Sequence, residues 1–256
     1  MRIYSRDDLT ELNHCIIERA VDGIYCESAN PTITNNTIRN NTDGIYADAG
    51  SQPTITGNTF TGNARPVSVY AARINNTISG NTYTGNTKDY IEVQTDVIED
   101  NGTIVWAKDN GPYVVVGDVT VQRNNSSSQL STLQIASGTT VKFMSGVDLF
   151  IGHESNSSYR GALTATGVTF TSFDSTGWPG IDFRGQAYDA GCSLNSCTIE
   201  NASSGIYCAS SNPTITNNTI RNNTYGIYAD PGSQPTITGN TFTGNTYPVK
   251  IYGRNI

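Results

Sequence analysis

The stretch GIYCESANPTITNNTIRNNTDGIYADAGSQPTITGNTFTGN, Gly23–Asn63, returns almost unchanged from Gly205 onward. Between 23–64 and 205–246 only five aligned pairs differ, Glu27 against Ala209 and Asp43 against Tyr225 among them. A shorter rhythm runs inside each copy. PTIT recurs at Pro31 and Pro53, and GIY at Gly23 and Gly44. The spacing of about 21 to 23 residues is that of a solenoid, in which each repeat buries its apolar face only by stacking on the next.

Each period holds three apolar beats. Ile33, Ile55 and Ile78 form one column, and Ile38, Phe60 and Tyr83 a second. Ile45 with Ala47, Val67 with Val69, and Ile91 with Val93 form the third. Every beat alternates with polar neighbours, which is strand periodicity, and no capped helical pattern appears. Three short strands per coil, parted by Asn, Gly and Asp turns, describe an all-β, right-handed parallel β-helix. Coils stack about 4.8 Å apart. A side-chain amide at one fixed turn position can then bond the amide above and turn backbone below. Asn36, Asn58, Asn81, Asn218 and Asn240 fit such a ladder, and Cys15 and Cys197 take its position one coil earlier.

These PTIT, NNTI and GNTF repeats and their Asn column resemble the pectate-lyase-like superfamily of right-handed parallel β-helices. They are similar in particular to β-helix repeat proteins displayed on microbial, often archaeal, cell surfaces. The resemblance covers roughly 10–97 and 115–256, and it implies a fold rather than an activity.

The middle of the chain is less regular. VWAKDNGPYVVVGDVTVQ, LQIASGTTVKF, VDLFIG, GALTATGVTFTSF and WPGIDF read as further strands. We expect coils over 1–97, a junction over 98–114 and a second coil set over 115–256. QRNNSSSQLS and HESNSSYRG read as protruding loops. Arg2 aligns with Arg184 and Asp7 with Asp189, so the chain reads as a segment of a longer tandem array. Neighbouring repeats or end-to-end self-association are the partners this implies.

Charged residues make up 14% of the chain and the net charge is −7, which argues against a nucleic-acid footprint. No apolar run approaches the ~20 residues that span a bilayer, so no membrane insertion is expected. The N-terminus is charged and lacks the apolar core of a signal peptide. Five cysteines without a Cys-x-x-Cys pair read as small buried thiols.

The search for chemistry is largely negative. Enzymes of the resembled superfamily cluster Asp with His and an Arg-x-Lys tripeptide, or set an Arg or Lys base beside calcium-binding carboxylates. Neither His14 nor His153 sits in such a setting, and Arg39 and Arg221 lack an evident carboxylate nest. In the family the outward face of the GIYAD strand carries the substrate groove. Its outward positions here are Tyr25 and Glu27, Tyr46 and Asp48, and Ser68 and Tyr70, with Tyr207 and Tyr228 in the second copy. Glu27 and Asp48, one strand apart, are the only catalytic candidates, as paired carboxylates or as Ca²⁺ ligands. The second copy breaks the pair at Ala209. Tyr25, Tyr46, Tyr70, Tyr207 and Tyr228 suit polysaccharide, whose rings offer apolar C–H faces.

The leading expectation is a non-catalytic extracellular or cell-surface scaffold or adhesion module. A polysaccharide lyase or hydrolase on the GIYAD face is the rival. Thr32/Thr34, Thr54/Thr56, Thr214/Thr216 and Thr236/Thr238 also form Thr-x-Thr rows of the kind ice-binding solenoids expose. Sequons fall in loops at Asn101, Asn125 and Asn156, and in a tight turn at Asn40.

Overall fold

Asn-Asn and Gly-Asn pairs set two corners of every regular coil. The computed structural model, which describes residues 1–5, 9–99, 102–124 and 129–252, shows how. The first member of each pair takes the left-handed backbone region, as at Asn35, Asn40, Gly57 and Gly62. That region suits Gly and tolerates Asn. The second member then points inward as a ladder rung. Asn36 donates its backbone N–H (2.9 Å) and side-chain amide (3.1 Å) to Asn58 Oδ1, and Asn58 does the same to Asn81.

The chain divides into two compact units, residues 1–94 with 105–114, and 95–104 with 115–256. In the first, three parallel sheets stack coil on coil. One contains Arg2–Tyr4, Asp22–Glu27, Asp43–Ala47, Arg65–Tyr70 and Ile91–Gln94. The next contains Glu11–Asn13, Thr32–Thr34, Thr54–Thr56 and Ile78–Ser79. The last contains Ile16–Glu18, Thr37–Arg39, Thr59–Thr61 and Thr82–Thr84. The register pairs Ile33 with Ile55, Ile38 with Phe60, and Val67 with Ile91, so each expected apolar column forms. Those residues are fully buried, each worth about 1.5–3 kcal/mol over leaving it in water.

The second unit repeats the plan. Its longest sheet runs Asp96–Ile98, Val119–Val121, Leu149–Ile151, Trp178–Phe183, Ala202–Cys208, Tyr225–Ala229 and Tyr247–Ile251. The irregular middle supplies strands where they were expected, among them Ser131–Ile135, Thr140–Phe143 and Gly161–Thr166. The segment 98–114 is itself partly strand, Thr103–Trp106. Trp106 is fully buried and donates its indole N–H to Ala71 O at 3.0 Å.

A second amide column runs beside the first. Ala20 N–H donates to Asn41, Asn41 to Asn63, and Asn63 to Asn86. Asn223 and Asn245 repeat the contact in the second unit. The ladders begin and end on other chemistry. Cys197 Sγ lies 3.5 Å from Ala165 O and 3.4 Å from Asn195 O, the carbonyl positions that ladder amides serve in later coils. A thiol can thus supply the donor half of a rung. At the far end of the first unit Asp109 accepts from Asn81 N–H, Asn81 Nδ2 and the Tyr83 hydroxyl.

None of the five cysteines is bridged; Cys26, Cys192, Cys197 and Cys208 are buried and Cys15 is half-buried. Burial pushes the Cys26 and Cys192 thiols up to about 12. In native buffer at pH 8 an alkylating reagent is expected to label Cys15 alone, the other four reacting only after unfolding; mass spectrometry reads the count.

Candidate ligand-binding face

Alternation along Asp22–Glu27 and Asp43–Ala47 sends Ile24, Cys26, Ile45 and Ala47 into the core and leaves Tyr25 and Tyr46 outside. The strands pair Tyr25 with Tyr46, and their rings stack at 5.2 Å and 17°. Burial, then the hydrogen bond with Tyr70, pushes Tyr46 up to about 12, so this phenol stays neutral. Tyr207 and Tyr228 hold the same register in the second unit, with rings 5.3 Å apart but tilted by 58°. Tyr25 with Tyr46 and Tyr207 with Tyr228 thus stand in register, while Ser68 follows Tyr46 in its row and Tyr70 pairs with Gln94 in the neighbouring row.

The two carboxylates fare differently. Asp48 Oδ1 accepts the N–H of Ser28 (3.0 Å), the N–H of Gly50 (3.0 Å) and the Ser51 hydroxyl (2.7 Å). Asp230 makes the matching bonds to Ser210, Gly232 and Ser233. This carboxylate organises the third corner in both copies. Glu27 lies 3.5 Å from Arg2 Nε, with both side chains about half exposed.

Two expectations need correction. Ser68 takes an outward position yet is wholly covered, its hydroxyl accepting from Gln94 Nε2 at 3.0 Å. Arg39 and Arg221 are not without carboxylates: each meets a glutamate of the preceding coil, Glu18 and Glu200, at 2.6 Å. The partners escaped sequence reading because they stand one coil away.

Sequence reasoning also missed the covering of the first unit's face. Arg65 grips Asp43 through two bonds of 2.5 and 2.7 Å, and reaches Glu92 at 3.2 Å. Lys88 holds the other Glu92 oxygen at 2.7 Å. The only prior signal was the Asp43/Tyr225 difference between copies.

The family model described as "Right handed beta helix region" matches residues 2–126 and 98–256. The chain belongs to the right-handed β-helix family. No curated protein and no solved structure matches it.

Elsewhere on this β-helix protein the candidate features are modest. The Thr-x-Thr rows are two coils deep in the first unit, where Glu11 and Asn13 stand in register before Thr32 and Thr34. Asn156 is exposed in a loop that His153 Nδ1 organises by accepting the Ser155 and Asn156 N–H groups. Asn40 sits in its tight turn, and Asn101 and Asn125 lie outside the described residues. Among the described residues no three or more His, Cys, Asp or Glu side chains gather as a metal cage, and no helix is long and apolar enough to cross a membrane.

An acidic edge in the second unit carries a pH signature. Burial, then Asp118 and Asp182, pushes the Asp148 carboxyl up to about 6 against the pull of Arg184. Unfolded, it titrates near 4. Between those values the folded state holds the extra proton, so this group's contribution falls as pH rises from about 4 to 6. Asp148→Asn is expected to stabilise the protein by ~1 kcal/mol at pH 7, reduced because the side chain is partly solvated, and by nothing at pH 3. Denaturant melts of both proteins at the two pH values check this.

Proposed function

We propose that this β-helix is a non-catalytic module of an extracellular or cell-surface protein, a stacked rod that presents tyrosines to glycan. The observation that carries the reading is the use of Asp48. In both copies the carboxylate that best suited catalysis holds a corner through three hydrogen bonds to its Oδ1, while the tyrosines beside it keep an outward register. Near-identical coils suit a spacer, because each adds length by stacking without new chemistry. The low charge and the Thr- and Asn-rich exterior fit a solvated scaffold surface.

The rival, a polysaccharide lyase or hydrolase on the same face, would need Asp48 released from its corner. A glycan array followed by turnover assays on each hit, with and without Ca²⁺, separates the two. Binding without release of reducing or unsaturated ends is the expected result. Turnover abolished by Glu27→Ala or Asp48→Ala in a protein that still melts like the parent would sink it.

A further inference from the structure

The tripeptide Asn-x-Ser/Thr occurs ten times in this chain. Three of the ten, those at Asn101, Asn124 and Asn125, include residues outside the described ones. The other seven stand in the structure, and they differ in what must break before an enzyme can reach them. The amide nitrogen has to be presented together with the hydroxyl two residues on, because the tripeptide is recognised as a unit.

Four of the seven are corner tripeptides, Asn-Asn-Thr at Asn35, Asn40, Asn217 and Asn222. Each spans a ladder rung, since its middle residue is Asn36, Asn41, Asn218 or Asn223, and all four are buried. Each Thr N–H donates to a carbonyl of the preceding coil, as Thr37 does to Cys15 O at 2.9 Å. The first Asn leans on the next coil. A Cβ added at Gly62 would lie 2.5 Å from Asn40 Oδ1, and one at Gly57 2.7 Å from Asn35 Oδ1. Lifting such a tripeptide out breaks a buried amide column. Asn75 and Asn201 are tied as well: Asn75 Oδ1 accepts Val105 N–H at 3.2 Å, and Asn201 Nδ2 donates to Thr171 Oγ1 at 3.1 Å.

Asn156 is placed differently. Its tripeptide lies in the loop 152–160, between Leu149–Ile151 and Gly161–Thr166, at the corner that Asp48 and Asp230 hold in the regular coils. Asn156 and Ser157 are exposed. Asn156 Oδ1 accepts Ser158 N–H at 3.0 Å, which bends the side chain over its own tripeptide. Neither Asn156 Nδ2 nor the Ser158 hydroxyl is bonded to another described group. Around them His153 Nδ1 accepts the Ser155 and Asn156 N–H groups, and Tyr159 N–H donates to Asn156 O. The Arg123 guanidinium donates to Ser157 O and Ser158 O. Most of these bonds face water, and none belongs to a ladder.

We propose that Asn156 is an N-glycosylation site of the folded protein, and that the corner tripeptides stay bare once their coils have stacked. The inference rests on the extracellular placing proposed above, where such glycans occur. The donor class is an oligosaccharide carried on a polyprenyl diphosphate. Asn156 Nδ2 forms a bond to the anomeric carbon, and the bond from that carbon to the diphosphate oxygen breaks. The displaced Nδ2 proton leaves with the lipid diphosphate. Attached at this loop, the glycan displaces no rung and no core residue, so the coils keep their register. Presenting Asn156 takes local opening of an exposed loop, whereas presenting Asn40 takes opening of the stack.

The test is cell-free and uses the whole folded chain. It is incubated with a single-subunit oligosaccharyltransferase and a synthetic polyprenyl-diphosphate oligosaccharide, beside free peptides carrying the Asn35, Asn40 and Asn156 tripeptides. Mass spectrometry of the digested protein reads the occupancy of each site. In the folded chain Asn156 is expected to be occupied about tenfold or more above any corner tripeptide, whereas the free peptides are modified to similar extents. Ser158→Ala, which keeps the backbone bonds of the loop, is expected to abolish modification at Asn156. Ser158→Thr is expected to keep it, and neither change should move the thermal melt. Asn156 left bare in the folded chain, or corner tripeptides occupied as fully as Asn156, overturns the proposal. Either result leaves the extracellular reading standing, because the assay supplies donor and enzyme wherever the protein resides. Antibody staining of intact producing cells tests that reading separately.

Discussion

Asn58→Ala is expected to lower stability by about 3–5 kcal/mol, more than any single exposed substitution on the molecule. Asn58 is 1% exposed and its amide works in every direction. Its oxygen accepts from Asn36 N–H and Nδ2, and its nitrogen donates to Ile33 O at 2.8 Å, Thr56 O at 3.2 Å and Asn81 Oδ1 at 3.1 Å. Alanine keeps the backbone N–H bond to Asn81. It strands the Asn36 donors and the Ile33 carbonyl in a place water cannot readily reach. Each stranded buried group costs about 1–3 kcal/mol. Thr54→Ala, one coil face away and partly exposed, should change stability by less than about 0.5 kcal/mol. Guanidinium melts of the pair measure the contrast, and equal effects would show that the ladder contributes little.

Gly180→Ala is expected to be as damaging, by about 3 kcal/mol or more, for a steric reason. Gly180 has φ of +133°, and a Cβ there would lie 1.6 Å from Ser204 O. The register slips at this point: Gly180 pairs with Ser204 but Ile181 with Ile206, leaving Gly205 as a bulge. A methyl group must therefore push the strand Ala202–Cys208 away while Trp178, Ile181 and Phe183 hold it from the core side. Gly146→Ala is the control. Its φ is also positive, +74°, but nothing lies within 4 Å of the added carbon, so only the backbone strain of about 1–2 kcal/mol remains.

The repeat made the coil architecture readable, and the reasons are local. Ile33, Ile38 and Ile45 recur with their alternation intact, and the Asn36 column recurs in the same frame. The Asn41 column was harder to see because its first rungs are Ala20 and Ala202, which join it through the backbone N–H alone and carry no polar side chain. Asp48 was misleading for a different reason. A carboxylate at a strand end reads alike as catalyst or corner, although the Gly50 and Ser51 that follow it are an Asx-turn signal. The Arg65 network was hidden because Lys88 and Glu92 come from a coil whose sequence departs from the repeat. Burial of a polar surface residue such as Ser68 depends on Glu92 and Gln94 of the next coil, and one sequence does not reveal that they stack on it.

The two amide columns stay five positions apart wherever both occur, at 36 and 41, 58 and 63, 81 and 86, 218 and 223, and 240 and 245. The distance from one rung to the next is looser: 21, 22, 23 and then 28 residues. Between Asn36 and Asn58 the extra residue falls outside the five-residue bracket, at the corner that Asp48 and Ser51 hold: Cys26 pairs with Ala47, 21 residues on, and Ile33 with Ile55, 22 residues on. That corner is where this protein can absorb foreign sequence. A peptide grafted between Gly50 and Gln52, or beside Gly232, would leave both columns in step, whereas one added residue between Asn58 and Asn63 would put the Asn63 rung out of phase with Asn41 and Asn86.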